Sequence, residues 1–243
     1  MELIEARRKI RQLIDENSPD DAPTAYYALF HAPERSVLFT RQDNQGRLLG
    51  FVGRFQTGVD LFRPLITLKC SSPEGAAELM EKALIPGRPY ILFSSLNQLA
   101  MVGGSMQMEN QRILRIYAVE PSRFKPEMNV LVVHKNTASG LPRCEIQDAT
   151  GKPAAVAGVN WKSPAFAEIY VHTEPQARQK GHGRTVVSAL TQRLLAEGVR
   201  PVYLVEGNNI PSVQLVESLG YVDTGSRQVY AETIYKGHRK FSV

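Results

Sequence analysis

The sequence has few of the features that mark a secreted, membrane-bound or metal-dependent protein. Its 243 residues include two cysteines, Cys70 and Cys144, which are far apart and form no CxxC pair or Cys/His ligand spacing. Two free thiols in a reducing cytosol and no metal site are therefore expected. No apolar run is long enough to span a bilayer, and the opening MELIEARRKIRQLIDEN mixes charges into its apolar residues, unlike a signal peptide. We predict a cytoplasmic protein with no membrane partner.

A clustered basic tract is also missing. The net charge is +5, yet the lysines and arginines are not gathered with interleaved aromatic residues, as nucleic-acid binding usually requires. This mild excess favours a phosphate-bearing small molecule over nucleic acid. Apolar residues make up 43% of the chain and charged residues 22%, as in an ordinary soluble globular protein with a real core.

The first part of the chain alternates strands and helices. Apolar spacing over 3–14 predicts a helix, and two apolar runs around DNQG predict a hairpin over 36–55. A helix that starts at the N-cap Ser72 and stops at Pro86-Gly87 is expected next. The other predicted elements are strands at PLITLKC, PYILFSS and RILRIYAVE and a helix over 96–109.

The second part repeats this order. Strands are predicted at NVLVVH, RCEIQD, AAVAGVNW, FAEIYVHT, PVYLVEG and RQVYAETIY, and helices over 184–197 and at PSVQLVESL. PSRFKPEM, at 121–128, is predicted to be a domain boundary or a crossover, and it divides the chain into domains 1–125 and 126–243. The mixed order indicates an α/β fold with a mixed (α+β) sheet.

The stretch EPQARQKGHGRTVV links a predicted strand to a predicted helix. A helix N-terminus offers unpaired N–H groups and the positive end of the helix dipole, and glycine lets a ligand approach the backbone closely. A phosphate or pyrophosphate fits such a place. The P-loop pattern GxxxxGK[ST] is absent, and the dinucleotide pattern GxGxxG fails because Arg184 and Thr185 follow Gly183. The pattern that remains is R-x-x-G-x-G, formed by Arg178, Gly181 and Gly183.

In this context the pattern resembles the acyl-CoA loop of the GNAT-type N-acetyltransferase superfamily, Q/R-x-x-G-x-G/A. The resemblance extends over about 143–235 and includes LVEGNNIPSVQLVESLGY, which is similar to the family's strand, Asn, small helix and Gly-aromatic stretch. It implies a GNAT-like acyl-CoA N-acyltransferase fold, with acetyl-CoA as co-substrate and an amine-bearing acceptor. The implied cofactor-binding residues are Val171, His172 and Thr173 for pantetheine, Arg178, Gln179, Lys180, Gly181, His182, Gly183, Arg184 and Thr185 for the pyrophosphate, and Asn209.

The catalytic groups are less well defined by the sequence. Glu168 is the best candidate for the base that takes the amine proton, although a solvent-facing strand residue is the alternative, and Glu206 is the second choice. The tyrosine that many family members use as proton donor is replaced by Val216. Tyr230 and Tyr235 are weaker candidates, since packing explains such residues more often.

Residues 1–125 contain no such motif and are interpreted as a degenerate copy of the same fold or as an acceptor-side domain. The resulting tandem arrangement is similar to the glycine N-acyltransferase-like group. The segment GRFQTGVDLFRPL, with Arg54, Asp60 and Arg63, is the candidate for acceptor recognition; a plain surface loop is the alternative. An acyl-CoA-binding sensor without transferase activity is the rival hypothesis, and a monomer or homodimer is expected.

Overall fold

A computed structural model describes residues 3–127 and 129–237. The described residues form two compact units. The first is built from residues within 1–114 and 226–243, and the second from residues within 115–225. Each unit has its own hydrophobic core. The chain therefore divides at 114/115 and again at 225/226, whereas the sequence predicts one boundary, at 125/126.

The first unit begins with helix α1 (Leu3–Ile10) and helix α2 (Ala22–Ala25), which continues as a π-helix over Tyr26–Phe30. The sequence reasoning did not predict α2. The remaining elements are β1 (Ser36–Gln42), β2 (Leu48–Phe55), β3 (Leu65–Cys70), α3 (Pro73–Ala83), β4 (Pro89–Ser95), α4 (Leu99–Val102) and β5 (Met106–Val119). The predicted hairpin over 36–55 is confirmed, as is the Ser72 N-cap, whose hydroxyl accepts a 3.1 Å bond from Gly75 N.

The described part of the second unit contains the end of β5, five complete strands, the first residues of a sixth and two α-helices. Its elements are β6 (Val133–Asn136), β7 (Pro142–Gln147), β8 (Pro153–Lys162), β9 (Phe166–Thr173), α5 (His182–Ala196), β10 (Arg200–Glu206), α6 (Ile210–Ser218) and the first residues of β11 (Tyr221–Tyr235). The strands β6 to β9 pair antiparallel in chain order, and β9 then pairs with β10 in parallel. Val187, Leu190 and Leu194 of α5 are fully buried against this sheet, as their helical spacing predicts.

Two long strands explain why the units do not follow a linear boundary. β5 starts in the first unit and ends in the second, and β11 runs the opposite way. The part of β11 from Gln228 to Ile234 pairs antiparallel with β4, so the last strand of the chain completes the sheet of the first unit. The change in composition at 121–128 does not predict that β11 pairs with β4, because the pairing of distant strands depends on tertiary packing.

Two predicted elements differ from the structure. Only 99–102 of the helix predicted over 96–109 is α-helical, and the residues from Met106 onward belong to β5. The strand predicted at 129–134 is wrong over most of its length, because β6 begins at Val133 and Val130 and Leu131 are exposed. Of residues 129–132 only Val132 packs, partly buried, against the core of the second unit, so the apolar composition of this run did not make it a buried strand.

The two units share one order of elements. A hairpin, a third antiparallel strand, a helix, a parallel strand, a short helix and a final strand appear as β1–β2–β3–α3–β4–α4–β5 and again as β7–β8–β9–α5–β10–α6–β11. In both units the parallel pairing is short. The two hydrophobic cores are assembled around α3 and α5 respectively.

Candidate functional site

The second unit has a gap between its two parallel strands. The last paired residues of β9 and β10 are Glu168 and Val202, although β9 continues to Thr173 and β10 to Glu206. Within the described residues, no hydrogen bond joins 169–173 to β10. Part of the β9 edge therefore presents backbone groups that an extended ligand could pair with, as the resemblance implies for pantetheine.

The first unit has the same kind of gap, but its own side chains close it. β3 and β4 pair only as far as Ile66 and Leu92. Beyond that point Ser94 Oγ donates a 3.2 Å bond to Leu68 O, and Gln98 Oε1 accepts a 2.7 Å bond from Cys70 N. The backbone edge that is open in the second unit is thus occupied in the first.

The glycine-containing loop of the second unit has two residues in the left-handed region. Gly181 is the N-cap of α5 with φ +77°, and Gln179, a residue with a side chain, has φ +61°. The latter conformation costs about 1–3 kcal/mol and typically persists where a site requires it. Among the described residues, the backbone N–H groups of 179–184 have no hydrogen-bond acceptor; the first helical bond is Thr185 N to Gly181 O, at 3.0 Å. The loop therefore offers a concave set of N–H donors.

Gly183, in the first turn of α5, lies close to side chains of both β9 and α6. A Cβ at this position would lie 2.9 Å from Thr173 Oγ1, 3.5 Å from Leu215 Cδ1 and 3.8 Å from Val171 Cγ2. At Gly181, by contrast, a Cβ would meet nothing within 4 Å. The two glycines thus serve different needs: Gly181 supplies a backbone conformation and Gly183 supplies room.

A cavity of about 720 Å³ opens along this loop and the adjoining β9 edge. Of the twelve residues predicted to bind the cofactor, ten line it. They are Val171, His172, Thr173, Arg178, Gln179, Gly181, His182, Gly183, Arg184 and Asn209. Lys180 is exposed and does not line the cavity, and Thr185 is buried in the first turn of α5. The structure adds five lining residues: Ala177, Pro211, Ser212, Gln214 and Leu215.

The cavity wall carries polar atoms that lack protein partners. His182 Nδ1 and Arg184 Nε are buried without a hydrogen bond, which is costly unless a ligand or water supplies one. The Arg184 guanidinium also forms a 3.1 Å ion pair with Glu127, and Arg178 Nε donates to Thr173 O at 3.3 Å. His172 is exposed, with Nε2 3.2 Å from Glu174 Oε1. Cationic side chains and unpaired N–H groups fit a pyrophosphate.

Helix α6 forms the opposite wall. Asn209 is its N-cap, and the side-chain oxygen accepts a 3.3 Å bond from Ser212 N. Val216, which stands at the family's tyrosine position, is fully buried in the core of the second unit. Within the stretch LVEGNNIPSVQLVESLGY the resemblance implied only Asn209 as a cofactor-binding residue, and the structure adds Ser212 and Leu215 to the cavity wall. Their (i, i+3) spacing, which puts them on one helix face, was the available signal for the others.

Glu168 lies at the point where β9 and β10 part. It is half-buried, and Asn160 Nδ2 donates a 3.0 Å hydrogen bond to its Oε1. Burial raises the pKa of the Glu168 carboxyl, and hydrogen bonds from Asn160 and Trp161 oppose that rise. The raised pKa brings the carboxyl closer to neutral pH, which suits a proton acceptor. The role of Glu168 as the base stays a prediction.

The other candidates have different surroundings. Glu206 is half-buried at the end of β10. Val202 pairs with Glu168, so the two side chains lie on the same face of the sheet. Alternate residues of a strand share a face, and Glu206, four residues after Val202, therefore lies on that face too. Tyr230 and Tyr235 belong to the first unit: Arg112 stacks on the Tyr230 ring at 4.4 Å, and Tyr235 is buried in that unit's core. Both have the packing roles that the sequence reasoning gave as more frequent.

The candidate acceptor segment also lies in the first unit. Arg54 donates to Ala83 O, and Asp60 accepts bonds from Phe62 N, Arg63 N and Arg63 Nε. These side chains hold the loop in shape. A role in acceptor recognition stays a prediction.

Across the described ranges, no group of three or more His, Cys, Asp or Glu is placed to hold a metal ion. No helix in the part of the chain that the structure describes could cross a membrane. Cys70 and Cys144 are free thiols, as predicted, and both are buried.

Comparison with known proteins agrees with the resemblance. Residues 151–230, which include the loop and α6, match the family model described as "FR47-like protein". A search of curated proteins finds no match to the sequence.

Solved acetyltransferase structures have the same fold. A tandem GNAT protein from the clavulanic acid biosynthesis pathway is 14% identical, with 98% of this chain and 95% of that chain covered and a TM-score of 0.63. A GCN5-related N-acetyltransferase-like protein from Streptococcus suis is 15% identical, and the match covers 95% of this chain and 99% of that chain with a TM-score of 0.59. A GCN5-related N-acetyltransferase from Kribbella flavida is 17% identical, and the match covers 82% of this chain and 91% of that chain with a TM-score of 0.57. The predicted mixed α/β, GNAT-like fold is confirmed.

Proposed function

We propose that the protein transfers an acetyl or other acyl group from an acyl-CoA to an amine. The observation that carries this proposal is the cavity at the N-terminus of α5, where unpaired N–H groups of 179–184 and the unpartnered Arg184 Nε converge. A pyrophosphate would satisfy these donors, with the helix dipole adding to its binding. The open β9 edge leads from there toward Glu168 and would hold the pantetheine amides.

In this proposal the two faces of the sheet have different tasks. The acyl-CoA lies on the α5 and α6 side and reaches into the gap between β9 and β10. The acceptor amine approaches on the face of Glu168, which takes the proton that the nitrogen loses on attack. Much of the rate comes from holding amine and thioester together, and Glu168 supplies base catalysis. Glu206, on the same face, adds negative charge that favours a cationic acceptor.

A second candidate function has an observation of its own. Val216 is fully buried, so the position of the family's proton donor carries no acid. A sensor that binds acyl-CoA and does not transfer the acyl group would need no such residue. This alternative predicts tight acyl-CoA binding without acyl transfer.

The two units are interpreted as tandem copies of one fold, of which only the second binds acyl-CoA. The shared order of elements supports the duplication. The side chains of Ser94 and Gln98, which occupy the β3 edge, and the self-capped N-terminus of α3 support the loss of binding in the first copy.

Calorimetric titration with acetyl-CoA tests the binding step. Micromolar binding that is lost in Gly181→Asp is expected, because the new carboxylate would point into open space beside the phosphate site and repel the anion. Gly225→Asp is a matched control: Gly225 also has a positive φ and open space, but lies outside the cavity. Unchanged affinity in Gly181→Asp would contradict the proposed site.

A panel of small amines and peptides with acetyl-CoA, followed by detection of free thiol, tests the transfer step. Release of CoA together with an acylated amine is expected. Tight binding of acetyl-CoA without thiol release across the panel would favour the sensor.

A further inference from the structure

A glycine of β8 lies under the aromatic ring of its cross-strand partner. Gly158 pairs with Tyr170 of β9. A Cβ at Gly158 would lie 2.5 Å from the Tyr170 hydroxyl oxygen, 2.6 Å from Cζ and 2.7 Å from Cε1, so the outer end of the ring rests on the Gly158 backbone. Any other residue at this position would push the ring away. The φ of Gly158 is not in the left-handed region, so glycine is needed here for room and not for backbone conformation.

Tyr170 lies on the face of the sheet that carries the proposed base. The β9 side chains that a Cβ at Gly183 would approach are those of Val171 and Thr173, so these two residues point toward α5. Successive residues of a strand point to opposite faces, and Glu168 and Tyr170 therefore share the face away from α5. Their Cα atoms are about 7 Å apart along the strand. In the proposed function this is the face on which the acceptor amine approaches.

The ring of Tyr170 is turned away from the gap between β9 and β10. Gly158 belongs to β8, which pairs with the other edge of β9. Val202 of β10 pairs with Glu168, so the half-buried Leu204, two residues later, lies on the face of Tyr170 and at its level. The gap therefore has Leu204 on one side and the folded-down Tyr170 ring on the other, with Glu168 at its closed end.

The position of this ring depends on space. Among the described residues, none forms a hydrogen bond with the Tyr170 hydroxyl. Tyr170 is half-buried, whereas Gly158 beneath it is buried. The absence of a Cβ at Gly158 is therefore what lets the ring lie flat on β8 and leaves the gap open on this face.

Resting on the proposed function, we infer that Tyr170 binds the organic part of the acceptor and that the acceptor is a primary amine on a flat apolar group, such as an arylalkylamine. The amine nitrogen lies beside Glu168, and the apolar group packs between the Tyr170 ring and Leu204. Two aromatic groups in contact attract each other beyond what their buried area contributes. Glu168 and Glu206, on the same face, attract the acceptor while it is still cationic. Gly158 keeps the Tyr170 ring out of the gap.

Two primary amines test the choice of acceptor, because phenethylamine carries an aromatic ring and ethylamine does not. For the wild type, kcat/KM should be about tenfold higher or more for phenethylamine. Tyr170→Ala should raise KM for phenethylamine about tenfold and leave kcat, and both constants for ethylamine, within about twofold. Tyr170→Phe keeps the ring and should stay close to the wild type, because the hydroxyl makes no contact that the acceptor needs.

Gly158→Ala tests why the ring lies where it does. The new Cβ displaces the ring toward the gap, so kcat/KM should fall about tenfold for both amines. The affinity for acetyl-CoA should not change, since the proposed CoA site is on the opposite face. Adding Tyr170→Ala removes the obstruction and should restore ethylamine but not phenethylamine. Without that rescue, the ring is not what closes the gap and the inference fails.

Gly50→Ala is the matched control for a disturbed strand glycine. Gly50 lies in β2 of the first unit, and a Cβ there would lie 2.9 Å from the backbone oxygen of Lys69. Backbone yields less easily than the end of a side chain, so this variant should lose at least as much stability as Gly158→Ala. It should nevertheless keep the wild-type preference between the two amines.

Trp161 gives a readout that needs no turnover. It is the only tryptophan of the chain and the cross-strand partner of Glu168. Its fluorescence should therefore report the binding of an amine to the protein saturated with CoA. Phenethylamine should bind about tenfold more tightly than ethylamine to the wild type, and the two should bind equally to Tyr170→Ala.

The outcomes distinguish this inference from the proposed function. A wild type that acylates ethylamine as well as phenethylamine, or other amines but neither of these, would overturn the inference and leave the proposed function standing. A preference that survives in Tyr170→Ala would do the same. A wild type that binds phenethylamine through Tyr170 but transfers nothing from acetyl-CoA would support the binding surface and contradict the transferase. Absence of both CoA and amine binding would overturn both.

Discussion

Asn160 Nδ2 lies 3.0 Å from Glu168 Oε1, and this hydrogen bond depends on a β-bulge. Along β8 the register shifts between Val159 and Trp161, so Asn160 is the extra residue opposite β9. A regular strand would have placed a different side chain beside the carboxylate. Bulges often re-aim side chains next to active sites, and here the bulge supplies the proposed base with a donor.

Replacing Asn160 should change the pH dependence of catalysis. The Asn160 bond stabilises the ionised form of Glu168, so its loss in Asn160→Ala raises the pKa of Glu168 further. The acidic limb of the kcat/KM profile should move upward by about one pH unit, since a hydrogen bond to a charged group contributes about 1.5 kcal/mol. Gln147→Ala is the control, because Gln147 makes a similar amide bond to Glu145, 2.9 Å long and outside the cavity. An identical profile in Asn160→Ala would argue against Glu168 as the base.

Glu168→Gln should slow turnover and change how stability depends on pH. Removing the base should lower kcat about 100-fold or more, with unchanged affinity for acetyl-CoA. The folded-state pKa of Glu168 is raised, so its protonated form favours folding. That stabilisation is complete below the ordinary carboxyl pKa and is lost as pH rises through the raised value. Relative to Glu168→Gln, the wild type should therefore lose free energy of unfolding over that window in denaturant titrations. A constant difference between the two proteins would show that the carboxyl is not perturbed.

The contact of Gly183 with Thr173 can be tested by a double-mutant cycle. Gly183→Ala brings a Cβ to 2.9 Å from Thr173 Oγ1 and forces the loop apart, so the affinity for acetyl-CoA should fall about tenfold or more. Thr173→Ala removes that oxygen, and the double variant should regain part of the loss in calorimetric titration. If the two effects simply add, the contact is not the cause.

The number of acyl-CoA sites should be one per chain. Within the described residues of the first unit, Ser94 and Gln98 bind the edge of β3 and the Ser72 hydroxyl caps the N-terminus of α3, so these groups are not open to an acyl-CoA as those of 179–184 are. Titration should fit a single site, and Gly181→Asp should remove all binding. A second site that survives Gly181→Asp would place acyl-CoA in the first unit.

Both cysteines should be inert in the native protein. Burial raises the pKa of the Cys70 thiol to about 12 and that of Cys144 to about 11, so almost no thiolate forms near neutral pH. Ellman's reagent should detect no fast thiol in the folded protein and two thiols after unfolding. A rapidly reacting native thiol would indicate local opening around one of them.

The sequence by itself predicted most elements of the second unit and the candidate anion-binding loop. Alternating apolar residues predict β7 to β9, and the apolar stripe of α5 predicts its buried face, because these periods follow from local backbone geometry. Gly181 and Gly183 are recognisable because glycine at a helix N-terminus lets a ligand approach the backbone closely. The loop, the β9 edge and Asn209 could therefore be grouped without coordinates.

Tertiary structure decided what sequence periods cannot encode. β5 and β11 each contribute residues to both units, and this depends on which strands pair over long sequence separations. The left-handed conformation of Gln179 is set by the loop around it. The bond from Asn160 to Glu168 joins residues of two different strands. Their chemistry arises from burial and proximity, which only the packed chain provides. The sequence thus predicts where an anion would bind, whereas the packing sets the burial and the hydrogen bonds of the proposed base, Glu168.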